Sequence, residues 1–204
     1  MNKKENMYRN AIFNPLNFIR DVSLINNFPA GIAIYLIYLV LFSLYVYVQI
    51  KGRNEMLPQE SGLIFFADRI INYDIENLRL AKLVINLFSA EILRLFVMSV
   101  ILFIVSSILT GRRTKLSQIT TILTVSYLIP CYVFLIGVVL SFLPLSFVIF
   151  KAAELAFLIS LYEAFSKGFG ISRPKAFVSL FVIVVAQALL YVYVPSVFLT
   201  PFFI

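Results

Sequence analysis

Apolar residues in this chain fall into five long runs that are separated by shorter polar segments. The runs cover residues 29–50, 92–110, 119–142, 145–165 and 176–194. Each run is long enough to cross the roughly 30 Å hydrocarbon layer of a membrane as an α-helix. The pattern therefore predicts an all-α fold in which residues 1–204 form a single membrane domain, a bundle of five transmembrane helices.

Short connections indicate how the later spans are arranged. Gly111 suits a left-handed cap at the end of the second span, and Ser117 suits an N-cap of the third. Pro144 interrupts the apolar sequence that follows, so only a very short connection joins the third and fourth spans. We expect these two spans to form an antiparallel hairpin, because so short a connection favours antiparallel neighbours.

The segment before the first span, residues 1–28, contains an amphipathic stretch. Asn14 suits an N-cap, and Pro15 suits the first helical turn that follows it. The apolar residues that then recur at helical spacing are Phe18, Val22 and Ile25. This pattern predicts an interfacial helix that lies on the cytoplasmic face of the membrane.

A second amphipathic region, residues 51–91, separates the first two spans. Acidic and basic residues alternate there with apolar residues such as Leu63, Phe66 and Ile70. The alternation is typical of one or two helices that lie on the outer interface or lead into it. The alternative is a small soluble cap, which the short length of the segment disfavours.

The distribution of charge predicts the orientation of the chain in the membrane. Seventeen Lys and Arg residues stand against 10 Asp and Glu residues, which gives a net charge of +7. The segments before the first span, between the second and third, and between the fourth and fifth hold the whole excess. Positively charged segments stay in the cytoplasm. We therefore expect a multi-pass protein of the cell membrane with its N-terminus in the cytoplasm and, after five spans, its C-terminus outside.

The residue inventory excludes most catalytic chemistry. The chain has no histidine and a single cysteine, Cys131, which falls inside the third span. Histidine-ligated metal sites, disulfides and thiolate clusters are thereby excluded, and a serine nucleophile would lack a histidine base. We expect no enzyme activity, no cofactor and no bound metal, and we interpret Cys131 as a small core residue. Topology also explains the basic charge without a nucleic-acid partner.

Polar residues inside the spans are the strongest remaining pointers to function, because charge at membrane depth is costly. We name six of them the polar seam: Glu91, Arg94, Tyr127, Lys151, Glu154 and Gln187. The simplest interpretation is a hydrogen-bonded seam that determines how the helices pack. A proton or ion path and a docking site for another membrane subunit are the alternatives.

The fourth span carries a second feature, a ridge of small residues that repeats every four positions. Its members are Ala152, Ala156, Ser160 and Ala164. Small residues at this spacing let another helix approach closely. Because the ridge lies roughly opposite Glu154, we expect the fourth span to be packed on two sides. Contact within the chain is the simpler interpretation, and homodimerisation is the alternative.

Several loose sequence patterns occur along most of the chain. They are Asn14-Pro15, Pro29 at the start of the first span, the basic turn at residues 111–116, Ser126-Tyr127 with Pro130, and the short polar loop at residues 166–168. With these patterns the chain resembles the Ypt-interacting-protein (Yip) domain family of five-span membrane proteins, in a prokaryotic-type form. The resemblance implies a cytoplasmic N-terminus, no known chemistry, and roles in membrane organisation or protein binding. Eukaryotic members interact with Rab-type GTPases, and some prokaryotic members are associated with ABC transporters.

These observations favour a non-enzymatic scaffold or accessory subunit of a membrane complex. The expected partners are membrane lipid and other integral membrane proteins, with self-association as a further option. A small transporter or channel-like protein that uses the polar seam is the first alternative. A membrane-shaping protein that acts through its amphipathic segments is the second.

Overall fold

The computed structural model describes residues 9–53, 80–110, 114–143 and 145–193. Within these residues the chain forms helices and turns and contains no β-strand, as the sequence predicts. A helical turn at residues 9–13 comes first. The helices that follow are α1 (Pro15–Ile25), α2 (Phe28–Arg53), α3 (Leu80–Thr110), α4 (Leu116–Val125), α5 (Leu128–Val139), α6 (Ser146–Phe169) and α7 (Arg173–Tyr193).

Among the described residues, three helical stretches are long and apolar enough to cross a membrane. They are Phe28–Gln49, Leu87–Ile108 and Leu116–Val139, with mean hydropathies of 2.2, 2.2 and 2.3. The last of these joins α4 and α5. Helices α6 and α7 overlap the fourth and fifth predicted spans in sequence. Helix α3 begins at Leu80, inside residues 51–91, where the sequence predicts an outer loop with amphipathic helices. The rest of that segment, residues 54–79, lies outside the described residues.

A proline divides the third apolar stretch into two helices. Pro130 has no backbone N–H, and its ring clashes with the carbonyl four residues earlier, which belongs to Ser126. Between α4 and α5 the N–H groups of Ser126 and Tyr127 therefore bond to carbonyls only three residues back, which tightens the turn. The Ser126 hydroxyl donates to the carbonyl oxygen of Ile122 over 2.6 Å. Tyr127 thus lies at the break itself.

The broken helix α4–α5 lies at the centre of the bundle. It packs against α2, α3 and α6, and α1 also contacts it. In the apolar stretch of α4–α5, 61% of the residues are buried, compared with 50% in the stretch of α2 and 35% in that of α3. Gly137 of α5 permits one close approach, because a Cβ atom there would overlap the side chains of Tyr45 and Ile149.

Helix α1 packs along the bundle. Asn14 caps it by accepting a hydrogen bond from the N–H of Asn17, and Pro15 is its first residue. Phe18 and Val22 are buried, and α1 contacts mainly α6 and α4. Ile25 differs from the other two, since it is 61% exposed at the point where α1 ends. The apolar face predicted for membrane contact is therefore covered largely by protein.

Large apolar side chains remain exposed on the outer faces of the helices. Examples are Leu36 and Val40 on α2, Phe96 on α3, Leu155 on α6 and Phe181 on α7. In water such a surface would be costly, whereas lipid tails cover it without penalty. These side chains form an exposed apolar belt, which is the kind of surface that a helical bundle presents to the lipid of a bilayer.

Candidate functional site

The most deeply buried charges lie on α3. Arg94 Nη1 donates to Glu91 Oε1 over 3.0 Å, and the two side chains are 6% and 0% exposed. The residues lie three apart, so one helical turn brings them together. The hydroxyl of Tyr35 on α2 donates to the backbone carbonyl of Glu91 over 2.7 Å, which ties α2 to α3 at the same level.

Aromatic rings lie beside this ion pair, since Tyr38, Tyr127 and Phe157 line one cavity with Arg94. The ring centroid of Tyr127 lies 4.3 Å from that of Tyr38, 5.1 Å from that of Tyr35 and 4.6 Å from that of Phe157. Such tilted ring pairs are favourable. The low local dielectric strengthens the attraction between Glu91 and Arg94, and it makes a charge without its partner expensive.

Arg94 and Glu154 line the same cavity, although they belong to different helices. The cavity measures about 20 Å³, enough for about one water molecule. Its other lining residues are Tyr38, Tyr127, Pro130, Phe134, Ala153 and Phe157. The proline that breaks α4–α5 therefore forms part of the cavity wall, next to the tyrosine at the break.

Glu154 also has a partner on its own helix. Lys151 Nζ lies 3.2 Å from Glu154 Oε2, again with a spacing of three residues. The two side chains are 38% and 20% exposed, so this pair is far less buried than the pair on α3. Lys151 lies near the start of α6, where a long side chain can extend its charge toward the interface.

Two polar atoms of the buried pair have no hydrogen-bond partner among the described residues. They are Glu91 Oε2 and Arg94 Nε. A buried polar atom without a partner costs about 1–3 kcal/mol. The cavity wall itself contains one cation and one anion, Arg94 and Glu154, while Glu91 lies behind Arg94 as its ion-pair partner. Chemically, the arrangement suits a bound water or a helix-packing seam.

The structure brings together most of the predicted polar seam. Arg94, Tyr127 and Glu154 line one cavity. Glu91 is the ion-pair partner of Arg94, and Lys151 is that of Glu154. Gln187 falls on α7, but its side chain lies outside the described residues, so its place in the seam stays a prediction. Sequence reasoning missed Tyr35 and Tyr38 as members of the site. Their spacing of three positions is the signal that could have placed them on one helix face.

The small-residue ridge of α6 is buried at one end and exposed at the other. Ser160 and Ala164 are fully buried, Ala156 is half-buried and Ala152 is exposed. Half of the ridge therefore packs within the chain, against the neighbouring helices of α6. The exposed end leaves room for close approach by another helix, which keeps homodimerisation as a prediction.

A second polar cluster joins α1 to the bundle. Arg20 Nε donates to Glu163 Oε2 of α6 over 2.9 Å, and Arg20 Nη1 donates to Asn17 Oδ1. This bond to Glu163 raises the pKa of the Arg20 guanidinium, although burial acts in the opposite direction. Thr121 of α4 donates to the side-chain oxygen of Asn26 over 2.9 Å. Polar contacts thus hold both the middle and the end of α1.

The single cysteine lies in the packed interior. Cys131 is buried, and its thiol lies 3.7 Å from the carbonyl oxygen of Ile34. Within the described part of the chain, no three Cys, Asp or Glu residues lie close enough to share a metal ion. The environment of Cys131 is that of a small core residue.

Comparisons with known proteins give no relative to this chain: no protein family, no curated protein and no solved structure matches it.

Proposed function

We propose that this chain is a non-enzymatic integral membrane protein that serves as a scaffold or accessory subunit of a membrane complex. The observation that carries the proposal is the pairing of its membrane-depth charges. Glu91 is paired with Arg94 and Glu154 with Lys151, all within one chain. Each pair lies within one helix, so its charges can be buried where helices pack without leaving a net charge in the bundle.

The size of the cavity supports a packing role over transport. A conduction path needs a continuous line of water or of binding sites across the membrane. The cavity between Arg94 and Glu154 has room for about one water molecule, and four of its lining residues are aromatic. A small transporter is nevertheless the second candidate, since opposite charges from two helices face this one cavity.

Our proposed topology has five spans, a cytoplasmic N-terminus and an external C-terminus in the cell membrane. Support comes from the charge distribution along the sequence and from the exposed apolar belt of the bundle. The described cations Lys115, Lys167, Arg173 and Lys175 lie at the ends of helices and outside the apolar stretches. We assign these positions to the cytoplasmic side.

Membership of the Yip domain family is part of the proposal. The residues that suggest it include Pro130, which breaks the third apolar stretch, and Asn14-Pro15, which begins α1. On this assignment the chain would organise or bind other membrane proteins. Membrane shaping by α1 receives less support, because Phe18 and Val22 pack inside the protein and are withheld from lipid.

The test is identification of the partner after purification of the tagged chain from its native membrane in mild detergent. Cells that carry the tag are mixed before lysis with untagged cells grown on heavy isotopes. Proteins that were bound in the cell stay light, while proteins that bind after lysis carry both isotopes. We expect at least one light integral membrane protein in near-stoichiometric amount. Recovery of the chain alone, in fully folded form, would contradict the proposal.

A further inference from the structure

We propose that the end of the bundle at which α4 and α7 begin binds the headgroups of anionic phospholipids. Four exposed cations lie there, and we name them the basic rim: Lys115, Lys167, Arg173 and Lys175. They belong to three different elements, namely the turn before α4, the last turn of α6 and the first turn of α7. The surface is thus assembled by the fold and not by one stretch of sequence.

Hydrogen bonds hold the elements of the basic rim together. Gln118, in the first turn of α4, donates to the carbonyl oxygen of Gly168 in α6 over 2.6 Å. Gly168 also packs so closely on Ile122 that a Cβ atom there would overlap its side chain. The hydroxyl of Ser166 donates to the carbonyl of Ile171 in the connection to α7. Lys115 and Lys167 are therefore carried on neighbouring, rigidly joined segments.

The protein neutralises the positive charge of the basic rim only in part. None of its four cations forms an ion pair within the part of the chain that the structure describes. Glu163 attracts Arg173 and Lys167, but it is already paired with Arg20 of α1, so this one acid does not balance the four cations. Of the other three described acids, Glu91 and Glu154 belong to the polar seam, so Asp21 is the one remaining acid in the described part of the chain. The rim therefore presents a net positive surface to its surroundings.

Exposed apolar side chains beside the cations indicate what the surroundings are. Leu116 directly follows Lys115, Phe177 lies two residues after Lys175, and both side chains are exposed. A cation beside an exposed apolar side chain is typical of the level at which lipid tails meet headgroups. An anionic phospholipid offers both components, tails for the apolar residues and phosphate for the cations. A nucleic acid or an acidic soluble protein would leave the apolar side chains unmatched.

The start of α4 adds donors suited to phosphate. Lys115, and not Ser117 as the sequence predicts, is its N-cap residue, and Lys115 makes no side-chain capping bond. The first backbone N–H groups of a helix lack partners within it and favour a negative group. A lipid phosphate at this point would therefore meet both backbone donors and lysine charge.

The test measures how strongly spin-labelled phosphatidylglycerol and phosphatidylcholine associate with the full chain in phosphatidylcholine vesicles. Because both leaflets contain both lipids, the orientation of the reconstituted protein does not affect the result. The test variant is Lys167→Gln/Lys175→Gln. Its matched control, Lys51→Gln/Arg53→Gln, removes two cations outside the basic rim, at the C-terminal end of α2. Protection of Cys131 from a thiol reagent shows that each variant is folded.

We expect the wild type to associate with phosphatidylglycerol about fivefold more strongly than with phosphatidylcholine. A factor of about five is what roughly one Lys or Arg contributes to binding at an anionic lipid surface. The test variant should lose most of this preference, and the control should keep it. High salt should weaken the preference, whereas inorganic phosphate should compete no better than chloride at equal ionic strength. Equal association of both lipids with the wild type would overturn the proposal, as would equal loss in the control. If the first variant does not fold, Lys115→Gln/Arg173→Gln tests the same rim.

Discussion

Breaking the ion pair on α3 is the perturbation with the largest expected effect. In Glu91→Gln the charge of Arg94 stays in place without its carboxylate partner, and both side chains are almost completely buried. Removing one member of a buried pair typically costs about 3–5 kcal/mol, because the remaining charge is not compensated. Removing both charges in Glu91→Gln/Arg94→Met should restore at least about 2 kcal/mol of that loss.

The less buried ion pair on α6, between Lys151 and Glu154, provides a matched comparison. Lys151 and Glu154 have the same spacing and nearly the same bond length, but Lys151 is 38% exposed and lies near a helix end. Partly exposed pairs contribute about 0–1 kcal/mol. Glu154→Gln should therefore destabilise the protein much less than Glu91→Gln, and Lys151→Met should recover part of its small loss.

The single buried cysteine makes the assay simple. A fluorogenic thiol reagent reacts with Cys131 only when the bundle opens, so its signal during heating in detergent reports unfolding. At about 2–4 °C per kcal/mol for a chain of this size, Glu91→Gln should lower the midpoint by roughly 6–20 °C. A midpoint for Glu91→Gln within error of the wild type would refute the reasoning. So would a double variant less stable than either single variant.

Three further predictions concern packing, the α1 contact and topology. Gly31→Ala should cost about 1–3 kcal/mol by the same thiol assay, since the added Cβ atom would overlap the hydroxyl of Thr124. Arg20→Gln should cost about 1 kcal/mol or less, because the ion pair of Arg20 with α6 is partly exposed; a larger loss would mean that α1 packing depends on it. In a chain without its native cysteine, a cysteine at Ser117 should react only with reagent that enters the cytoplasm, and one at Ser61 only from outside. The reverse pattern would invert the proposed topology.

Hydrophobic pattern alone predicted the all-helical class and the location of the apolar helices, because helices in lipid need long continuous apolar runs. The alternation in residues 51–91 predicted amphipathic helices on the outer interface or leading into the second span, and α3, which begins at Leu80, is a helix of the second kind. The predicted span itself began at residue 92, whereas in the structure one helix continues through Glu91 and Arg94, which form an ion pair. Local sequence does not reveal which charges will meet a partner.

The candidate site was predictable in part. Polarity at membrane depth identified Arg94 and Glu154, but the cavity that both line depends on Tyr38 of a distant helix and on the break at Pro130. Contacts between helices far apart in sequence leave no periodic signal in either helix. For the same reason the pattern of α1 correctly gave an amphipathic helix, whereas the surface that covers its apolar face had to be seen in the structure.

The central claim is that the paired charges belong to a packed seam between the helices and conduct nothing. Proton and small-ion flux through the purified chain in proteoliposomes tests this most directly, with empty vesicles and the Glu154→Gln variant measured in parallel. We predict that flux with the wild type equals that of empty vesicles and that Glu154→Gln changes nothing. Flux above the empty vesicles that disappears in a folded Glu154→Gln variant would contradict the claim and establish transport through the cavity between Arg94 and Glu154.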